Sequence, residues 1–356
     1  MRILHVITTL ETGGAERLMV DLLPLLKDRG DQVDLLLFNG LMTPFRKELE
    51  ERGVTIYELT INASGVDVYN PFHIFRLHRY MKGYDIIHTH NTACQLYVPI
   101  AKLLLHSRAK LITTDHNTTS RRRTHWWFRP IEKWMYRQYD EIVCIGDMAR
   151  ENLQQYLSKD ERVSVIYNGV DTRRFIRPIK DISIQNSFVV TMVAGFRLQK
   201  DQDTLIRSFT HLSSNYRLQL VGAGEREQEL KKLCQELNLD ERVDFMGARM
   251  DVPEILEQSD VVVLSSHWEG LSLSSIEGMA SGRPFVASDV DGLHEIVVDA
   301  GVLFPHGDET ALAQSIQKLC EHPDYYRRVA EACQNRAKDY DIGVMAEAYH
   351  KLYQAL

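Results

Sequence analysis

"DVVVLSSHWEGLSLSSIEGMASG", residues Asp260 to Gly282, changes character twice within a short span. Val261, Val262, Val263 and Leu264 form an unbroken apolar run, the pattern of a parallel strand covered on both faces. "SIEGMASG" then reads as a helix of small and apolar residues that stops at Gly282 and Pro284. Glu269 falls in the loop leaving the carboxyl end of the strand, and Glu277 in the first turns of the helix. In open α/β sheets that edge is where ligands bind. Ser274 and Glu277 also have the S-x-x-E spacing of a capping box, which would explain Glu277 without a ligand. Glu269 has no such explanation. On spacing alone, cap and site weigh equally for Glu277.

Strand and helix patterns alternate to either side of this stretch. "RILHVIT", "QVDLLLF", "VTIYEL", "DIIHTH", "AKLITTD", "EIVCIG" and "VSVIYNG" read as strands with helical segments between most of them. The pattern lapses over "FIRPIKDISIQNSF" and restarts at "FVVTMVAG", "RLQLVGAG" and "RVDFMG". This is the rhythm of tandem Rossmann-like, doubly wound parallel sheets. The expected organisation is a first domain over 1–175, a linker over 176–187, a second domain over 188–340, and a C-terminal helix over 341–356 packing back on the first domain.

The chain of 356 residues is long enough for two ordinary domains, and 44% hydrophobic with 26% charged residues is a globular balance. A net charge of −7 argues against a general nucleic-acid binder. Met1 and Arg2 lead straight into a strand-like run, so no signal peptide is read, and no apolar run approaches the ~20 residues that span a bilayer. The five cysteines form no C-x-x-C and read as reduced thiols of a cytoplasmic protein. His88 and His90 could ligate a metal, but no third ligand is in sight, and polar lining of a strand end is the better reading. No metal and no cofactor are therefore expected.

Other strand ends carry chemistry of their own. Gly13 and Gly14 stand between the first strand and first helix, where bare amides can meet an anion; a plain tight turn explains them equally well. Arg197 and Lys200 lie in a basic loop after "VAG", a placement that suits a diphosphate, although a lone lysine is more often a solvated surface group. Gly222, Gly224 and Gly292 occupy further strand–helix turns.

Together these segments resemble a known family. "VGAGE", "VDFMG", "SDVVVLSSHWEGLSLSSIEGMASGRPFVASDVDGLHEIV" and "GVLFPHGD" look like the second domain of the retaining glycosyltransferases of family 4, and "GGAERLMVDLLPLL", "DIIHTHN", "TTDHNTT" and "IYNGVDTRRF" resemble the first in the same order. The resemblance spans nearly the whole chain, and E-x7-E is its most specific part. It implies the glycosyltransferase-B fold, two Rossmann-like domains facing a cleft. It also implies that Glu277 binds the ribose, Glu269 lies by the donor sugar, and backbone amides of Leu271, Ser272 and Leu273 meet the phosphates, with Gly13, Gly14 and Gly222 on the donor side. His116 resembles a family histidine near the transferring bond; satisfying a loop carbonyl is its plainer reading, but its place after a strand on the ligand edge favours the site. Many relatives have an arginine five residues before the lysine, where this chain has Gly195; Arg197 is the candidate replacement.

The implied activity is retaining, metal-independent transfer of a sugar from a nucleoside-diphosphate sugar to a glycan or lipid-linked acceptor, in bacterial polysaccharide or lipopolysaccharide synthesis. A nucleotide-sugar epimerase and an inactive nucleotide-sugar-binding module are the alternatives. "SRRRTHWWFRP" sets Arg121, Arg122, Arg123 and Arg129 among Trp126, Trp127 and Phe128. That mixture suits an anionic membrane surface or a lipid-linked acceptor, at the inner face of the plasma membrane; single-stranded nucleic acid and simple burial of the tryptophans are its other readings.

Overall fold

The computed structural model describes residues 1–11, 13–61, 69–115, 126, 128–158 and 160–356. They form two units, Met1–Gly169 with Ile342–Leu356, and Val170–Asp341.

The first unit carries strands β1 (Arg2–Ile7), β2 (Gln32–Asn39), β3 (Thr55–Thr60), β4 (Ile86–His90), β5 (Lys110–Asp115), β6 (Glu141–Cys144) and β7 (Val163–Val165). Its helices in the same stretch are α1 (Gly14–Asp28), α2 (Pro44–Glu51), α3 (His73–Leu77), α4 (Thr92–Leu105), α5 (Arg129–Arg137) and α6 (Asp147–Leu157). The sheet order is β3-β2-β1-β4-β5-β6-β7, with every pairing parallel. Successive strand residues face opposite sides. Ile3 and Ile7 therefore join one core with Leu18, Leu22 and Leu26 of α1, while Leu4 and Val6 join another with Val98 of α4, Met135 of α5 and Leu153 of α6.

The second unit repeats the plan with β8 (Phe188–Val193), β9 (Tyr216–Val221), β10 (Val243–Gly247), β11 (Val261–Leu264), β12 (Phe285–Ser288) and β13 (Val302–Phe304). Helices α7 (Gln202–Ser208), α8 (Glu227–Glu236), α9 (Val252–Gln258), α10 (Leu273–Ala280), α11 (His294–Val297), α12 (Glu309–Glu321) and α13 (Pro323–Lys338) accompany them. The order is β10-β9-β8-β11-β12-β13, again parallel throughout. Val261 to Leu264 are fully buried, as their unbroken apolar run requires.

Residues 176–187 belong to this second unit. Ile182 is buried in its core, Lys180 Nζ lies 2.6 Å from the buried Asp260, and Gln185 donates to the same carboxylate at 3.0 Å. The segment has no period because side chains and Asp260, not ladder hydrogen bonds, hold it. After α13 the chain returns to the first unit as α14 (Ile342–Ala355), whose Met345, Ala346, Tyr349 and Tyr353 share a core with Ile3 and Leu35.

Candidate active site

In the second sheet the strand order reverses between β8 and β11, the point where loops diverge and leave room for a ligand. The loop after β8 carries Arg197 and a tight turn, Leu198–Lys200. The loop after β11 carries Ser265 to Glu269. Backbone and side chains stitch the two together. The His267 amide donates to the Gln199 carbonyl at 2.8 Å, and Ser265 Oγ donates to the Asp201 carbonyl at 2.8 Å.

Lys200 Nζ then meets Glu269 Oε1 at 2.6 Å, and Ser266 Oγ donates to the same oxygen at 2.5 Å. Glu269 is buried, 6% exposed, and the lysine side chain is only 18% exposed. A carboxylate this dry persists because it is paired; removing its cation would leave a buried charge. Among the described residues the other oxygen, Oε2, has only a long contact of 3.5 Å from Gln199 Nε2. Glu269 therefore has one oxygen saturated and one with room to accept a hydroxyl proton. Ser266 and Gln199 escaped the sequence reading, although both are near neighbours in sequence of the two residues it singled out.

Helix α10 starts at Leu273, with Ser272 at the cap position and no side chain capping it. Ser274 is thus the second helical residue and Glu277 the fifth. A capping box needs its serine at the cap and its acid three residues on. The Ser274–Glu277 pair does not form one, and the plainer explanation of Glu277 is withdrawn. Glu277 is half-buried. Leu271 and Leu273 pack their side chains against the core, which leaves the uncapped helix start as backbone N–H groups suited to an anion.

Two glycines permit the close approach of these loops. Gly292 has φ +82°, and a Cβ there would sit 2.4 Å from the Glu269 carbonyl oxygen. At Gly222, φ +146°, a Cβ would sit 2.1 Å from the Ala194 carbonyl oxygen. Neither position accepts a side chain without displacing a site loop.

Arg197 is exposed and pairs with no carboxylate among the described residues. At Gly195 a Cβ would meet nothing nearer than the Ala223 oxygen at 3.6 Å, so a side chain is sterically allowed there. In the first unit Gly13 caps α1 with no side-chain hydrogen bond and Gly14 begins it. The Glu16 carboxylate lies over Gly13, and burial raises its pKa despite a hydrogen bond from its own amide. His116, Arg121, Arg122, Arg123 and Trp127 lie outside the described residues. Trp126 is 80% exposed.

The first unit's reversal point, between β1 and β4, is built differently. Register sets His5 beside His88, and His88 and His90 share a face. His5 Nδ1 lies 3.1 Å from His90 Nε2; His88 contacts Tyr353 OH and Thr114 Oγ1, each at 2.8 Å. All three histidines are buried.

Residues 12–174 match the family described as Glycosyltransferase Family 4, and residues 176–336 that described as Glycosyl transferases group 1. The chain is 28% identical over 338 residues to the lipopolysaccharide core biosynthesis glycosyltransferase LpsD of Rhizobium meliloti, covering 93% of this chain and 91% of that one. It is 30% identical over 228 residues, 59% of each chain, to the UDP-Gal:alpha-D-GlcNAc-diphosphoundecaprenol alpha-1,3-galactosyltransferase of Escherichia coli. Among solved structures, Anabaena HepE in complex with UDP is similar over 100% of both chains, with TM-score 0.85 at 23% identity, and HepE has also been solved with UDP-glucose. Two parallel-sheet α/β units, the strand orders and these matches agree: the chain belongs to glycosyltransferase family 4 and has the glycosyltransferase-B fold.

Proposed function

We propose that this protein transfers a sugar, with retention, from a uridine diphosphate sugar to a lipid-linked or lipopolysaccharide glycan. The observation that carries the reading is the buried Lys200–Glu269 pair at the reversal point of the second sheet, beside the uncapped start of α10. The similarity to HepE, solved with UDP and UDP-glucose, supports the nucleotide, and the two transferase relatives support the acceptor class. Glu277 would accept from the ribose hydroxyls and Glu269 Oε2 from the donor sugar. Lys200, Arg197 and the amides of Leu271 to Leu273 would face the diphosphate.

In the transfer step the acceptor hydroxyl oxygen bonds to the anomeric carbon as the bond from that carbon to the β-phosphate oxygen breaks. Both events occur on one face, so configuration is kept. The acceptor proton passes to the leaving diphosphate, which gains charge. Fixed cations and amides stabilise that charge most where it is greatest, in the transition state. This assignment asks for no divalent ion.

A peripheral membrane position, at the cytoplasmic face, fits a lipid-linked acceptor. No helix among the described residues is long and apolar enough to cross a membrane. The first unit exposes Phe72, Phe75, Leu103 and Leu104 along α3 and α4. Arg76, Arg79, Lys82 and Arg108 accompany them, with no acidic residue between Tyr69 and Tyr84, while Lys102 pairs with Asp140. Exposed apolar side chains with cations close by in sequence suit an anionic lipid surface.

The test is a transfer assay with uridine diphosphate sugars, a polyprenyl-diphosphate-linked acceptor and excess EDTA, with the product linkage read by NMR. The expected product has the donor's anomeric configuration. An inverted linkage, an isomerised sugar nucleotide formed without acceptor, or activity that stops in EDTA and returns with magnesium would contradict the proposal.

A further inference from the structure

Beside the Lys200–Glu269 pair lies a second cluster that the transfer reaction does not use. Asp201 follows Lys200, His267 precedes Glu269 by two residues, and His306 stands on the turn after β13. One nitrogen or oxygen atom from each side chain comes within 4.8 Å of the others. His267 Nδ1 is 2.7 Å from His306 Nε2 and 3.6 Å from Asp201 Oδ2.

The three residues differ in freedom. Asp201 is buried and fixed: its backbone has φ +46°, its Oδ2 accepts from Thr204 Oγ1 at 2.6 Å, and its Oδ1 accepts from the Thr204 amide at 3.3 Å. A hydrogen-bonded carboxylate of this kind is a well-oriented metal ligand. His267 is half-buried and His306 exposed, so a cation has a way in and one ligand can adjust. Tetrahedral zinc with bonds of about 2.0–2.1 Å sets its ligand atoms roughly 3.4 Å apart. The 3.6 Å between His267 and Asp201 is close to that value, while the 2.7 Å between the two imidazoles is a hydrogen bond that the ion would replace as the exposed His306 swings outward. Two imidazoles and a carboxylate suit zinc; magnesium and calcium prefer six or more oxygens.

The histidines of the first unit make the useful contrast. His5, His88 and His90 also meet within a ligand's reach. All are buried, and His88 spends both ring nitrogens on Tyr353 and Thr114. Both clusters would have to give up hydrogen bonds to a cation, but in the first unit every ligand is buried and none can swing outward, whereas His306 is exposed.

We propose that Asp201, His267 and His306 bind one Zn²⁺, with water in the fourth position. The ion would tie together the Lys200 turn, the 265–269 loop and the turn after β13, and so hold the two loops that carry the diphosphate and sugar contacts. It is a site for holding loops, separate from the transfer step itself.

The full-length protein, stripped with EDTA and free of nucleotide, is titrated with ZnCl₂ by calorimetry and thermal denaturation. One equivalent should bind and raise Tm. Because His306 is exposed, His306→Ala should leave the metal-free Tm unchanged and weaken zinc binding by roughly tenfold or more. Co²⁺ should give the visible absorption of a tetrahedral N/O site in the wild type and not in His306→Ala. Absence of saturable zinc binding, zinc affinity unchanged in His306→Ala, or a cobalt–thiolate band would overturn the proposal. No donor or acceptor is present, so failure here leaves the transferase reading untouched, and failure of that reading leaves this site standing.

Discussion

The two sheets reverse their strand order in the same way, yet the reversal points are finished in opposite senses. In the first unit, the polar side chains sit within the strands. His5 on β1 and His88 on β4 turn towards α14, where Tyr353 contacts both, and His90 stacks on His5. In the second, Lys200, Glu269 and Glu277 sit beyond the strand ends, on loops and a helix start. Hydrogen bonds saturate the first set and make it a core. The second keeps an unsaturated carboxylate oxygen, an uncapped helix and a solvent-facing arginine. Residue chemistry alone does not separate a site from a core; the distance past the strand end does.

The largest effect should come from the second unit. Lys200→Ala removes a cation from the diphosphate and leaves Glu269 buried without its partner. Turnover should fall about a hundredfold or more, by analogy with losing one preorganised transition-state donor. Unfolding should be easier as well, since a broken buried pair costs about 3–5 kcal/mol. Arg197→Ala, which has no carboxylate to strand, should lower turnover roughly tenfold with Tm unchanged. Gly195→Arg in that background should restore part of it. If Lys200→Ala changed Tm but not turnover, the pair would be structural, and the contrast between the units would collapse.

The first unit should instead respond to acid. Burial lowers the His5 pKa from 6.5 to about 3. The unfolded chain binds a proton near pH 6.5 that the folded chain refuses, so stability is full above that value and falls as pH drops towards 3. The slope from His5 alone is at most ~1.4 kcal/mol per pH unit. His88, His90 and Tyr353 are the titratable groups around it. His5→Gln should flatten the decline of Tm between pH 7 and 5; an identical decline in both proteins would mean that the buried trio does not set acid sensitivity.

A smaller effect is expected at the α3–α4 surface. Phe72→Ser with Phe75→Ser should reduce sedimentation with anionic vesicles severalfold, more at low salt, and leave soluble-nucleotide binding unchanged. Equal sedimentation of variant and wild type would remove this face from the membrane account.

Much of this was legible in the sequence. The buried run of β11, the helix after it and the placing of Glu269 in the loop between them were readable, because strand burial and helix-terminal chemistry are local. Register is not local. His88 and His90 were visible as a pair, but only the parallel alignment of β1 with β4 supplies His5 as the third ring. Asp201, His267 and His306 are likewise scattered over more than a hundred residues and meet only through sheet order. The capping-box spacing at Ser274 misled because a helix can start two residues earlier with the same letters. The α3–α4 surface was missed for a similar reason: Phe72 and Phe75 look like core residues until the fold leaves them outside.

The central claim is that the carboxyl edge of the second sheet holds a nucleoside diphosphate through Glu277. Calorimetric titration of UDP into wild type, Glu277→Ala and Glu269→Ala tests it without acceptor or turnover. One site is predicted in the wild type. Glu277→Ala should lose about 1.5–3 kcal/mol, roughly ten- to a hundredfold in Kd, while Glu269→Ala stays near the wild-type value and loses turnover instead. Equal affinity of all three proteins for UDP would contradict the account.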